Sequence, residues 1–237
     1  MKIKWFRLLF ISFIVIGAIL MTGCTGGSQK NSAFLSTPTP TASAPFPSMP
    51  ANIDQYNEQQ NELWFSVGQK ITEISSIPGI DDPAILVNGL QITKEIVEGQ
   101  KALQAVYTNN SFKDKIVLGV RNKVLNSEAI KQGIQPSQDN IDAYLKQVRD
   151  SFDDGTSDTD VMVSYMKGMG ITIDEYMEQQ KAVAYDQFQR DALRKSLPAG
   201  TDWNKYTDGL VEKADIQILD PEIQALFDGS QAMNSPP

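Results

Sequence analysis

The sequence predicts a mainly α-helical domain, a helical bundle closed by a small β-sheet. Three observations predict it. Ala84-Ile-Leu-Val-Asn-Gly-Leu-Gln-Ile-Thr93 reads as a short apolar strand, an Asn88-Gly89 turn and a second short strand, because a two-residue hairpin of this kind needs positive φ at both turn positions. Lys213-Ala-Asp-Ile-Gln-Ile-Leu219 alternates Ala214, Ile216 and Ile218 with Asp215 and Gln217, the period-two pattern of a half-buried strand. The residues between these segments carry apolar side chains at helical spacing. Neither strand satisfies its edges alone, so the strand near 84–92 should pair with the strand near 214–219.

The helices follow from stripes and punctuation. Ile53 to Ser76 places Leu63, Val67, Ile71 and Ile74 on one side with Trp64 beside them. Pro78-Gly79 and Asp81-Asp82-Pro83 break the chain after it. Thr93 should cap a helix that runs to about Thr108 and ends at Asn109-Asn110. Phe112 to Gln132 turns Val117, Val120, Val124 and Leu125 inward, continues its apolar side through Ala129 and Ile130, and stops at Gly133. Ser137 caps the next helix, whose stripe is Ile141, Leu145, Val148 and Phe152. Asp153-Asp154-Gly155 ends it, and a short helix follows around Thr159 to Lys167. Gly168-Met-Gly170 interrupts, and Thr172-Ile-Asp-Glu175 is a capping box. The helix it opens should reach about Ser196, with Ile173, Met177, Ala184, Phe188 and Ala192 on its apolar side. Asp202 or Thr201 caps a last helix that turns Trp203, Tyr206 and Leu210 inward before the closing strand. The expected organisation is a helix and connector at 53–83, the main domain at 84–220 and a tail at 221–237.

Composition removes much chemistry. The chain of 237 residues holds no histidine and one cysteine. Ser-His-Asp and Cys-His nucleophile systems, His-ligated zinc and imidazole proton shuttles are therefore unavailable. An internal disulfide framework is excluded as well. The formal net charge of −8 repels phosphate backbones, and no Lys/Arg cluster reverses it locally. Nucleic acid is not an expected partner, and no cofactor or metal is called for.

Residues 1–23 read as a targeting segment. Lys2, Lys4 and Arg7 precede the apolar run Leu8 to Met21, which is shorter than the roughly 20 residues of a spanning helix. Met21-Thr22-Gly23-Cys24 then resembles a bacterial lipobox, with Met21 where Leu is usual. The resemblance implies that Cys24 is diacylated and becomes the mature N-terminus. Two acyl chains would hold the protein on the extracytoplasmic face of the cell membrane. Residues 24–52 follow as a Ser/Thr/Pro-rich tether, including Ser36-Thr-Pro-Thr-Pro-Thr-Ala-Ser-Ala-Pro-Phe-Pro47. That composition buries no core, and fully polyproline-like the segment would reach roughly 80 Å.

Four stretches carry a family resemblance. They are Val87-Asn88-Gly89-x-x-Ile92-Thr93, Val124-Leu125-x-x-Glu128-Ala129-x-x-x-Gly133-Ile134-x-Pro136-Ser137, Gly170-Ile171-Thr172-x-x-Glu175-Tyr176 and Lys213-Ala214-x-Ile216-x-Ile218. In this order they resemble the N-terminal chaperone domain of SurA/PrsA-type foldases, over about 84–219. The resemblance implies a helical bundle closed by a small sheet that holds unfolded or secreted polypeptides outside the cytoplasm without ATP. Many members insert a parvulin-type prolyl isomerase before the last helix and strand. Here only Leu197-Pro-Ala-Gly-Thr201 fills that place. The expectation is thus a chaperone module and not an enzyme. The alternative is an envelope scaffold that holds one specific protein partner. A second copy of the chain is a further candidate partner.

A holdase needs an adaptable apolar surface. Met162, Met166, Met169 and Met177 lie close together with Tyr165 and Tyr176, and methionine suits promiscuous contacts. Met162, Tyr165, Met166, Met169 and Met177 are the candidate peptide-binding residues, although the same spacing fits core packing. Asp150, Asp153, Asp154, Asp158 and Asp160 form an acidic stretch without calcium-loop spacing. Gly168-x-Gly170 lacks the Lys-Ser/Thr of a phosphate loop. Glu98, Glu128, Glu175 and Glu178 sit at solvated helix positions, and Trp203 and Tyr206 read as packing for the final helix.

Overall fold

Asn88 and Gly89 adopt φ of 49° and 82°, the left-handed pair that a two-residue hairpin demands. They join β1 (Pro83–Val87) to β2 (Leu90–Thr93) with Val87 opposite Leu90 and Ile85 opposite Ile92. The other side of β1 pairs antiparallel with β3 (Ile216–Ile218), placing Ile85 opposite Ile218 and Val87 opposite Ile216. The sheet order is β2-β1-β3, so the expected long-range pairing is present. Two further bonds extend it. The Asp215 amide donates to Asn88 Oδ1 at 2.8 Å across 127 residues of sequence, and the Leu219 amide donates to the Ala84 carbonyl at 2.8 Å. The computed structural model describes residues 53–106, 111–152 and 157–228.

The described helices are α1 (Ile53–Ser75), α2 (Lys94–Leu103), α3 (Phe112–Lys131), α4 (Gln138–Ser151), α5 (Ser157–Met169), α6 (Ile173–Ser196), α7 (Trp203–Lys213) and α8 (Pro221–Asp228). Caps set their starts. Thr93, Ser137 and Asp202 accept from the amides of Ile96, Asn140 and Lys205. Ser111 with Asp114, and Thr172 with Glu175, close full capping boxes. Gly133 ends α3 at φ 68°, with the Ile134 amide returning to the Ala129 carbonyl, so orphan carbonyls of the last turn are satisfied.

The main core lies between the sheet and four helices. Ile85, Val87 and Ile92 pack with Val97 of α2, Ile116, Val117, Val120 and Val124 of α3, Val211 of α7, and Ile223 and Phe227 of α8. A second cluster joins Trp64, Val67, Ile71 and Ile74 of α1 to Leu103 of α2 and to Tyr165 and Met169 of α5. Two smaller clusters lie along α6. Leu193 meets Leu125 and Ala129 of α3 near its end, and Tyr176 and Met177 meet Met166 of α5 near its start. Mainly helical architecture with a small three-stranded sheet is therefore what this sequence builds.

Several local expectations change. Helix α1, whose docking the sequence leaves open between packing on the domain and standing as a stalk, buries its stripe against α5 and α2. Residues 221–228, expected to be tail, form α8, and Ile223 is fully buried. Helix α2 ends at Leu103 because the next three amides turn to i−3 carbonyls; the rest of the expected run, residues 107–110, lies outside the described residues. Helix α5 begins at Ser157, before the expected Thr159, and continues to Met169. Ile130 and Ile173, expected on apolar sides, are exposed. Ile130 sits in the last turn of α3, where the Gln189 side chain on α6 bonds the Ile134 carbonyl just beyond it. Ile173 opens α6 ahead of the first buried turn at Tyr176. On α7 the buried side chains are Thr207 and Val211, while Trp203, Tyr206 and Leu210 are half-buried.

Candidate binding surface

Helix α5 is held between α1 on one side and α4 and α6 on the other. Gly68 and Gly168 make the first contact possible. A Cβ at Gly168 would fall onto the Phe65 carbonyl, and one at Gly68 would sit 2.8 Å from the Met169 amide. The backbones of α1 and α5 therefore touch, and Thr72 Oγ1 donates across the crossing to the Met169 carbonyl at 3.1 Å. Tyr165 and Met169 point into this contact, where Trp64 meets the Tyr165 ring edge-on at 5.7 Å.

That arrangement decides where the candidate methionines go. Tyr165, Met166, Met169 and Met177 retain only 4%, 3%, 6% and 8% of their surface. In this structure they are interior packing residues, which is the core-packing alternative that their spacing also fits. The physical reason is the close α1 crossing, which covers one side of α5 while α4 and α6 cover the other. The structure brings Met162, Met166 and Met177 into one cluster and sends Tyr165 and Met169 to the opposite side. Met162 is half-buried and touches both groups. Cys24 lies outside the described residues.

Around Met166, Tyr176 and Met177 lie Leu145, Val148, Phe152, Met162, Val163 and Ile171, all only partly covered. Phe152 meets the Tyr176 ring edge-on at 5.9 Å. Three buried side chains thus lie under a rim of six partly covered apolar ones. This α4–α5–α6 corner gathers buried and partly covered apolar side chains from three helices. Elsewhere the apolar side chains left in water, such as Phe65, Leu118, Tyr185 and Leu219, lie on separate elements.

The other sequence candidates have local roles. Glu98 bonds Lys101, Glu128 accepts from Gln132, and Glu175 completes the α6 capping box, while Glu178 faces solvent. Gly168 belongs to the helix crossing, and Gly170 ends α5 at φ 70°. Trp203 stacks on Tyr206 at 5.9 Å, with the Arg194 guanidinium over Trp203 at 5.7 Å. Both rings pack on the Leu125–Ala129–Leu193 cluster. Asp150 pairs with Lys146; Asp153, Asp154 and the Asp158 side chain lie outside the described residues. Among the described residues no group of three His, Cys, Asp or Glu could hold a metal. Among them, too, no helix is long and apolar enough to cross a membrane.

Sequence reasoning missed a polar seam along α3. Arg121 pairs with Asp208 of α7 at 2.8 Å, its side chain 8% exposed. Lys123 reaches Asp186 of α6 at 3.4 Å, and Arg190 donates to Asn126 Oδ1 at 3.0 Å. Gln189 Nε2 donates to the Ile134 carbonyl at 3.1 Å. Burial pulls the Arg190 guanidinium down to about 10, against the pull of Asp186 and Asp191. Buried polar groups that are paired fix one register of packing. The signal available in the sequence was the row Gln179, Asp186 and Arg190 at helical spacing, breaking an otherwise apolar side. No family model, no curated protein and no solved structure matches this chain.

Proposed function

We propose that this protein is a lipid-anchored, extracytoplasmic holdase that binds unfolded or secreted polypeptides without ATP and without catalysis. One observation carries the reading. The β1–β3 pairing closes a helical insert between strands far apart in sequence, which is the topology that the SurA-like resemblance implies. The half-covered methionine-bearing corner of α4, α5 and α6 supports it, because methionine and partly buried apolar side chains re-pack around varied partners. The connection from α6 to α7, residues 197–202, leaves no room for an isomerase domain. Anchoring through Cys24 and a tether over residues 24–52 would hold the domain clear of the membrane.

The second reading is a scaffold for a single protein partner. Burial of Tyr165, Met166, Met169 and Met177 favours it, since it withdraws the most adaptable side chains from solvent. Light scattering from several unrelated, chemically unfolded proteins separates the two. The full chain at near-equimolar ratio is expected to slow the aggregation of most of them. Suppression of none, with capture of one defined partner, would give the scaffold reading the field.

A further inference from the structure

We propose that the outer edge of β3 is a strand-addition site that takes an extended, basic segment of client polypeptide as a fourth strand. The proposal rests on the holdase reading and names where its client's backbone is held. The register decides which groups face outward. The Asn88 amide donates to the Asp215 carbonyl, and the Leu219 amide to the Ala84 carbonyl. Odd residues of the strand therefore turn their backbone groups to β1, and alternation turns the N–H and C=O of Ile216 and Ile218 away from it. Among the described residues no hydrogen bond reaches those outward groups. The edge carries neither proline nor lysine, the usual guards of an open strand.

The opposite edge differs. On β2 only Gln91 lies between the paired residues Leu90 and Ile92, and Thr93 already caps α2. After β3, Asp220 Oδ1 accepts from the amides of Glu222 and Ile223 and turns the chain into α8, which packs inward through Ile223 and Phe227. The side chains fit an incoming strand as well. Ile216 and Ile218 are half-buried against the main core, so an apolar residue beside them would extend it. Leu219 is 49% exposed on the other side.

Charge selects the occupant. From Glu212 to Glu222 the chain carries Glu212, Asp215, Asp220 and Glu222 with Lys213, and Glu222 is paired with Lys101, which leaves a net acidic surround. A basic segment gains from this surround. A second copy of this acidic chain would bring the same carboxylates against themselves, and like charges directly opposed on paired strands are unfavourable.

The test uses the full chain in detergent and the peptide Lys-Val-Lys-Val-Lys-Val-Lys, beside two controls: its backbone-N-methylated form and its Glu-for-Lys form. The first peptide should slow amide exchange at Ile216 and Ile218. N-methylation should weaken binding about tenfold or more, because the strand loses its donors. The glutamate form should bind more weakly than the lysine form. Ile218→Pro removes one outward N–H, a change that edge strands accommodate, and should weaken binding with the helical signal retained. If that variant does not fold, the N-methylated peptide still decides. Equal binding of the methylated peptide overturns the proposal, as does bound peptide with unchanged exchange at Ile216 and Ile218. Self-association that protects the same amides without peptide also overturns it. Aggregation suppression that persists with those two amides unprotected would sink the edge site and leave the holdase reading standing. Peptide docking at the edge without any suppression would do the reverse.

Discussion

Gly68 and Gly168 show how much one absent side chain can carry. At their crossing the backbones of α1 and α5 meet, and there is no room for a Cβ on either. Gly209 in α7 is the contrast, with nothing within 4 Å of the place a Cβ would take. The same substitution should therefore have opposite signs. Gly168→Ala is expected to cost about 1–3 kcal/mol by forcing the helices apart. Gly209→Ala should add about 0.5–1 kcal/mol, because glycine in a helix interior loses more backbone freedom on folding. Paired urea denaturations check both, and a neutral Gly168→Ala would mean that the helices are not in backbone contact. The sequence reading took Gly168-x-Gly170 as a simple break, since a glycine that serves a distant helix looks the same in sequence as one that serves a turn.

Between elements, Lys101 ties α2 to α8. Its ammonium lies 2.7 Å from Glu98 Oε1 and 2.5 Å from Glu222 Oε2, and 5.6 Å over the Phe112 ring. Burial alone pulls its pKa down, but the bonds to Glu222 and Glu98 outweigh that and hold it above the ordinary 10.5. The folded state thus binds this proton more tightly than the unfolded state. The stabilisation is fully present below the unfolded value and disappears as pH rises through the folded one. Because Glu222 is mostly exposed, solvent screens the pair, and the contribution should stay under about 1 kcal/mol. Wild type should exceed Lys101→Met in denaturation midpoint at neutral pH. The gap should close as pH climbs past the ordinary lysine value of about 10.5. A gap that survives there would belong to the aliphatic stem and not to the charge. Helix α8 itself was read as tail because Pro221 to Asp228 offers only Ile223, Leu226 and Phe227 as apolar spacing over two turns, too short a window for periodicity to register.

Across the whole molecule, contacts run from α5 to α1, α2, α3 and α6 and return to α5 through Met166, Tyr176 and Met177. The main core draws on β1, early in the described chain, and on β3 and α8 at its end. A fragment cut at the boundaries that sequence suggests, 84–220, would lose Trp64, Val67, Ile71 and Ile74 from one core and Ile223 and Phe227 from another. Each large buried side chain removed costs about 2–5 kcal/mol, against a total stability of about 5–15 kcal/mol. That fragment is expected to show no cooperative thermal transition, while residues 53–228 should melt in one. A cooperative melt of 84–220 would show that α1 and α8 are accessory.

What the sequence determined by itself was local or strongly patterned. Asn88-Gly89, the Thr93, Ser137 and Thr172 caps, the Gly133 stop and the alternation of 214–218 each state their conformation within a few residues. The two strands also named each other, because each was short, apolar and without a nearer partner. What only the tertiary structure decided depends on distant surfaces meeting. Met166 and Met169 have the same chemistry and the same helix, yet they turn into different clusters because α1 closes over one side of α5 and α6 over the other. Amphipathic spacing says that a side chain leaves water; it does not say which element receives it, since the hydrophobic effect has no direction. The close approach of α1 to α5, and the charged seam that locks α3 to α6, supply that direction through excluded volume and paired hydrogen bonds.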